Sequence, residues 1–358
     1  MLLALSSLFG QPGGIPSFNR LLLRAAADFV KPMRQPLHVI ALTDAPGSRP
    51  EVAAQPLCHT YVPCGGDKTL FLAEVLCRAA SESTVVLGHV NLSPLGVLFR
   101  NVGVIAHGTD VWAPLPRLRR VFLRRARVVA GVSEHTLAQL QKVQGVSEHR
   151  CQRVINALDE HSLALALAPA CVPTDTPLRI VAVSRLWLGE PKGLDLVLRA
   201  LPDLPHVEFE MVGDGAARPA LMALAQNLGV AHRVQFSGCL SEADKHAALS
   251  RSHALVLPSS GEGFGIVYLE AMAHGLPCLA ANVGGAKEVV LDGETGLVVS
   301  PDVEGVRTGL LRLFDPALRR RLGEAGRQRV QKRFTYPAFY SHAAEFFARL
   351  GPINRGRP

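Results

Sequence analysis

Along the whole chain, short β-rich apolar runs alternate with stretches that carry apolar residues at helical spacing. That alternation predicts βα units and parallel sheets, because a parallel strand buried on both faces reads as a continuous apolar run. In the second half, RIVAVS (179–184), VEFEMV (207–212), RVQF (233–236), ALVLP (254–258) and PCLAAN (277–282) read as strands. LDLVLRALPDL, RPALMALAQNLG and EADKHAALSRS read as the helices between them. In the first half, strands are expected near 2–9, 37–43, 84–90, 102–106 and 127–132, and helices over FNRLLLRAAADFV and EHTLAQLQKV. The segment APACVPTDTP (168–177) breaks both periods and holds three prolines, which marks a linker. The pattern therefore predicts an α/β protein with a first domain over 1–170 and a second over 171–335. A terminal helix over 336–358 is expected to pack back on the first.

A chain of 358 residues suits two cores, and 48% hydrophobic with 19% charged residues is a globular composition. No apolar run approaches the ~18 to 20 residues that span a bilayer. MLLALSSLFG lacks a basic flank and runs straight into a glycine turn, so it reads as a buried first strand rather than a signal peptide. Seven cysteines without a CxxC pair argue for a reducing, cytoplasmic setting. Cys58, His59 and Cys64 lie close together, yet no second cluster completes a tetrahedral metal site. The formal charge of +8 is concentrated in two runs, Arg117 to Arg127 and Arg319 to Arg333. Such runs either attract anionic surfaces or are simply solvated helix faces. With 6% aromatic residues and no reader motif, a noncatalytic nucleic-acid binder is the weaker reading, and no nucleic-acid partner is expected.

Ligands of open parallel sheets bind beyond the carboxyl ends of the strands. Gly13 and Gly14 follow the first strand, and His107 and Asp110 follow VGVIA. Arg185 follows RIVAVS, and Glu262 follows ALVLP. The richest segment runs from Pro258 to Gly285. There Gly261, Gly263 and Gly265 allow close backbone approach where a helix begins, and N–H groups around Phe264, Gly265, Ile266 and Val267 can receive phosphate oxygens. Glu262 before that helix and Glu270 within it can accept hydrogen bonds from the paired hydroxyls of a sugar and a ribose. A capping glutamate and a solvated helix glutamate would look the same from spacing alone. Arg185 and Lys192 bracket a turn that leads into a helix, and two cations there can stabilise a departing diphosphate.

SRLWLGEPKGLDLVLRAL, MVGDGAARPAL, VQFSGCLSE and LPSSGEGFGIVYLEAMAHGLPCLAANVGGAKEVVLDGETGLVVSP occur in that order. Together they resemble the donor domain of glycosyltransferase family four. GGIPSFNR, HGTDVW and VVAGVSEHTLAQL resemble its first domain more loosely. The resemblance implies the GT-B architecture, two Rossmann-like domains facing across a cleft, and transfer that retains the anomeric configuration. By position it implies that Glu262 contacts the donor sugar, that Glu270 binds the ribose, that Arg185 and Lys192 clamp the diphosphate with the amides of Gly265 to Val267, and that Gly263 and Phe264 also border the donor. Leu240, within Gly238-Cys239-Leu240, borders the base. His107 lies at the cleft floor, and Gly13 and Gly14 form a loop against donor and acceptor.

The implied substrates are a UDP- or GDP-linked hexose and a glycan or lipid-linked acceptor of surface polysaccharide synthesis, with no cofactor and no metal. An epimerase or a phosphorylase of the same architecture is the alternative. Three features depart from the pattern: a longer Arg185 to Lys192 loop, Ala157 after Asn156, and a compact connection from Ala45 to Leu57. Within PRLRRVFLRRAR (116–127), the seam of Leu118, Val121 and Phe122 is expected to pack on the first domain's own sheet. The arginines would then be left to dock on an anionic membrane.

Overall fold

The computed structural model describes residues 1–10, 13–47, 57–167, 177–189 and 191–351. Most of the segment read as a linker, and most of the Ala45 to Leu57 connection, lie outside the described residues. The chain divides into two compact units, Met1–Ala157 with Tyr336–Pro358, and Leu158–Thr335.

The first unit is built on seven parallel strands: β1 (Leu2–Leu5), β2 (His38–Ala41), β3 (Thr60–Pro63), β4 (Thr84–Leu87), β5 (Asn101–Ala106), β6 (Val128–Gly131) and β7 (Cys151–Arg153). Their order is β3-β2-β1-β4-β5-β6-β7. The helices are α1 (Gly14–Val30), α2 (Lys68–Ala79), α3 (Arg117–Arg125) and α4 (Glu134–Lys142). β1, β4, β5 and β6 are buried throughout, which is why they read as unbroken apolar runs. β1 is shorter than the run 2–9. Beyond Leu5 the chain turns around the buried carboxylate of Asp44, which accepts from Ser7 Oγ at 2.7 Å and from the amides of Leu8 and Phe9.

The second unit has α5 (Glu160–Leu167), β8 (Leu178–Val183), α6 (Leu194–Ala200), β9 (Val207–Val212), α7 (Arg218–Asn227), β10 (Val234–Gly238), α8 (Glu242–Ser250) and β11 (Ala254–Leu257). It continues with α9 (Ile266–Ala273), β12 (Cys278–Ala281), α10 (Ala286–Val289), β13 (Gly296–Val299), α11 (Val303–Arg312) and α12 (Pro316–Arg333). Six parallel strands run in the order β10-β9-β8-β11-β12-β13. The division falls after Ala157 rather than at 170, because α5 packs on α8 and α9 of the second unit.

The last helix, α13 (Tyr336–Arg349), lies on α1 and β6 of the first unit. Phe339 meets Phe18 edge-on at 5.4 Å, Phe347 sits 5.3 Å from Phe29, and the Tyr336 hydroxyl donates to Asp28.

The two basic runs behave differently. In α12, Arg319 is buried and donates to the carbonyls of Leu313 and Phe314. Arg321, Arg327 and Arg329 donate to those of Gly293, His274 and Val289. That run closes turn and helix ends, so it is neither a purely solvated face nor a free cationic surface. In α3 the apolar seam does not turn inward as expected. Leu123 is buried and Phe122 half-buried, but Leu118 is 62% exposed and Val121 is exposed as well. The register of α3 against its neighbours admits one leucine to the core and leaves these two on the arginine side.

Candidate active site

In each sheet the strand order reverses once, between β1 and β4 and between β8 and β11. Loops after such neighbours diverge and leave room for a ligand at their carboxyl ends.

In the second unit the loops after β8 and β11 are sewn together. The Pro191 carbonyl accepts from Ser259 Oγ at 3.1 Å and from the Ser260 amide at 2.9 Å. This brings Lys192 Nζ to 3.3 Å from Glu262 Oε2, across seventy positions of sequence, with both side chains largely buried. Arg185 and Lys192 line one hollow of about 170 Å³. The Arg185 guanidinium lies 4.2 Å from the centre of the Trp187 ring, a cation–π contact that limits where it can point.

Gly265 enters α9 with φ 90° and ψ 74°, a left-handed conformation in which a Cβ would run into the Tyr268 ring. Tyr268 cannot retreat, since it is fully buried and its hydroxyl donates to the Leu257 carbonyl at 2.7 Å. The chain therefore reaches Ile266 and Val267 with the first amides of α9 lacking helical acceptors, beside the Lys192–Glu262 pair. Gly263, Phe264 and Gly265 are buried, and Phe264 meets Phe334 edge-on at 5.9 Å. Leu240 is half-buried after β10, where the Gly213 amide donates to the Gly238 carbonyl.

Glu270 lies on α9 and is only 8% exposed. Its Oε1 accepts from Lys245 Nζ at 2.8 Å, and the same ammonium donates to Glu242 Oε2 at 2.8 Å. Burial pushes the Glu270 carboxyl up, Lys245 pulls it back only in part, and Glu242 and Asp159 add to the rise. Burial also works against the Lys245 ammonium, yet its two carboxylate partners hold it above the usual lysine value. Both groups move upward because the ammonium faces two carboxylates whereas Glu270 faces one cation and two further acids. Lys245 was not picked out from the sequence, where it reads as an ordinary helix-surface lysine.

In the first unit, Gly13 caps α1 with extended backbone, and Gly14 is exposed. The Asp110 carboxylate accepts from the amides of His107, at 3.1 Å, and Gly108, at 2.8 Å, so it shapes the loop after β5. His107 Nε2 lies 2.8 Å from the Gly88 carbonyl. A carbonyl can only accept, so Nε2 carries the proton and Nδ1 is the bare nitrogen. Burial lowers the His107 pKa, while Asp110 and the Gly88 carbonyl raise it less. His89, also absent from the sequence expectations, stands beside it. Its ring is 5.8 Å from that of His107, and its Nε2 is 3.8 Å from Asp110 Oδ2.

A larger hollow of the second unit, about 380 Å³, lies elsewhere. It opens at the starts of β8, β9 and β10, and its charges are already engaged: Arg251 with Glu210, Arg179 with Glu208, and Arg233 on the carbonyls of Leu201, Leu204 and Val207. Size does not make it the site, since the amides of a helix start and the converging loops are at the opposite strand ends.

The two sheets define an α/β chain of the GT-B fold. A sucrose-phosphate synthase from Thermosynechococcus elongatus superposes with a TM-score of 0.74 over 98% of both chains at 23% identity. Anabaena HepE in complex with UDP and glucose does so with a TM-score of 0.75 over 97% of this chain and 99% of its own, at 20% identity. The family described as glycosyl transferases group 1 matches residues 173–329. A GDP-mannose-dependent alpha-(1-6)-phosphatidylinositol monomannoside mannosyltransferase of Mycolicibacterium smegmatis is 37% identical over 265 residues, 66% of this chain and 68% of its own. A lipopolysaccharide core biosynthesis glycosyltransferase of Rhizobium meliloti is 34% identical over 178 residues, and the chain spans about half its length (51%). The chain belongs to the glycosyl transferases group 1.

Proposed function

We propose that this protein transfers a hexosyl unit from a UDP- or GDP-linked sugar to a glycan or lipid-linked acceptor, with retention and without a divalent metal. The observation that carries the reading is the joining of the loops after β8 and β11, which sets Lys192 on Glu262 beside the start of α9. When the bond between sugar and diphosphate breaks, negative charge grows on the leaving phosphate. Arg185, Lys192 and the first amides of α9 are fixed positive groups that answer it without reorganising. Glu262 accepts hydroxyls of the sugar, Glu270 accepts those of the ribose, and Leu240 borders the base. No side chain is assigned as a nucleophile, so the acceptor attacks on the face from which the diphosphate leaves. In the first unit His107, in the loop that Asp110 shapes, offers its bare Nδ1 to the acceptor, and Gly13 and Gly14 give the acceptor a loop free of side chains.

A panel of UDP- and GDP-sugars tests this by thermal shift and then by turnover. Both bases belong in it, because the mycobacterial relative is named for GDP-mannose and the Anabaena structure holds UDP. A sugar nucleotide at ~100 times its dissociation constant should stabilise by roughly 2.7 kcal/mol. Turnover should require an acceptor, proceed equally in EDTA and in magnesium, and fall when Arg185 or Lys192 becomes alanine. A metal requirement would overturn the charge assignment. Donor conversion without acceptor would make the protein an epimerase, and a need for inorganic phosphate would make it a phosphorylase.

The same reading sets the enzyme at the cytoplasmic face of a membrane. Among the described residues no helix is long and apolar enough to cross one. Six of the eleven exposed large apolar side chains among the described residues sit on three elements of the first unit that pack side by side: α2 (Leu70, Leu72, Leu76), the 3-10 segment Val90–Leu98 (Val97) and α3 (Leu118, Val121). α3 adds five arginines and no acid. Leucines and valines among arginines fit the acyl chains and phosphates of an anionic bilayer, with about 1 kcal/mol per cation near the surface. Co-sedimentation with anionic vesicles should fall with salt. It should weaken both when Arg119, Arg120, Arg124 and Arg125 become glutamine and when Leu118 and Val121 become serine. Equal recovery of wild type and variants, on anionic and neutral vesicles alike, would defeat the docking.

A further inference from the structure

We propose that Lys245 is a positioning residue for nucleotide binding: wedged between Glu242 and Glu270, its ammonium holds the Glu270 carboxylate charged and oriented toward a vicinal diol. The inference rests on the assignment of Glu270 to the ribose and adds a residue that assignment did not include.

Glu270 needs such a partner. It sits on a helix buried between β11, β12, α5 and α12, and a carboxylate withdrawn from water at such a place tends to keep its proton. A protonated carboxyl keeps less acceptor capacity than a carboxylate and so grips two adjacent hydroxyls less well. The surroundings give little other help. From α8 come Glu242, Lys245 and His246, and from the start of α5 come Asp159 and His161. From the end of α9 comes His274, with Arg327 of α12 donating to its carbonyl. The two acids oppose ionisation of Glu270. His246 Nδ1 and His274 Nε2 lie 2.8 Å apart. Burial lowers both rings, His274 to about 4, so this pair stays neutral at physiological pH and supplies no cation. Among these groups the ammonium at 2.8 Å is the one that favours the carboxylate directly.

The consequence is a pH dependence that appears when Lys245 is removed. An opposite charge this close is worth roughly 1 to 3 pH units to a carboxyl. Loss of the ammonium lets Glu270 take up a proton at higher pH, so nucleotide affinity should fail sooner as pH decreases. UDP and GDP binding measured by calorimetry from pH 6 to 8.5 tests this on the full chain. Glu270→Gln, which has no carboxyl to titrate, gives the profile of the nucleotide itself.

Relative to that profile, Lys245→Met should bind about tenfold more weakly than wild type near pH 6.5 and approach it at pH 8.5. Lys245→Arg should follow wild type. A loss in Lys245→Met that is the same at every pH, or no loss, would overturn the proposal, since a packing role would not depend on protons. Should Lys245→Met not fold by circular dichroism, Lys245→Gln serves in its place under the same criteria. Wild-type protein that binds neither UDP nor GDP would instead defeat the nucleotide reading on which this one rests.

Discussion

Glu262→Ala is expected to lower kcat by about two to three orders of magnitude while nucleoside diphosphate affinity changes little. The loss of one fixed polar partner where charge develops typically costs ~2.7 to 4 kcal/mol of transition-state stabilisation. Glu262 is assigned to the transferring sugar, so a diphosphate without sugar does not touch it. Its removal takes away one carboxylate partner of Lys192, at 3.3 Å, and does not weaken the clamp on the diphosphate. Glu270→Ala should do the reverse, weakening nucleotide binding by roughly 10- to 100-fold with a smaller effect on kcat at saturation. Steady-state kinetics and calorimetry on the two variants separate the roles. Equal effects of both on diphosphate affinity would end the division of labour.

Gly265→Ala should unfold the second unit at markedly lower temperature and abolish donor binding in the fraction that remains folded. Two penalties add. An alanine at φ 90° is held in left-handed space at about 1 to 2 kcal/mol, and its Cβ must displace a Tyr268 ring that is buried and hydrogen-bonded, at about 1 to 3 kcal/mol. The sum, roughly 2 to 5 kcal/mol, corresponds to a drop in melting temperature of about 4 to 20 °C for a domain of this size. Gly293→Ala is the control. It also has positive φ, 69°, but no atom lies within 4 Å of the added carbon, so only the first penalty applies. Similar melting temperatures for the two variants would show that Tyr268 yields and that the entry to α9 is not rigid.

What could be read from the sequence follows from how strands are covered. NVGVIA, VVAG and ALVL are buried on both faces and carry the signal themselves. β3, TYVP, is half-buried along its length, and β7 is three residues, CQR. Both stand at the edges of the first sheet, where one side is unpaired and no apolar run is demanded, and both went unread. In the site, Glu262 and Lys192 were legible because glycines and proline mark the turns that hold them. Lys245 and His89 were not, since each gains its meaning from a partner on another element, Glu270 twenty-five residues on and Asp110 twenty-one residues on. The arginines of α12 show the converse. Their pattern is visible, but the carbonyls that use them belong to turns no local rule pairs with them.

The return of α13 to α1 has a consequence for the order in which the molecule is made. The first unit is made of two stretches of chain, one before the second unit and one after it, so the second unit is an insertion within the first. During synthesis about 305 residues separate the end of α1 at Val30 from the start of α13 at Tyr336, so the Phe18–Phe339 contact waits about 15 to 60 seconds at ordinary ribosomal rates. The contiguous second unit can fold as soon as it emerges. The unit begun first is thus completed last, and a chain released before Tyr336 would carry the whole second unit and a first unit whose aromatic seam is still open.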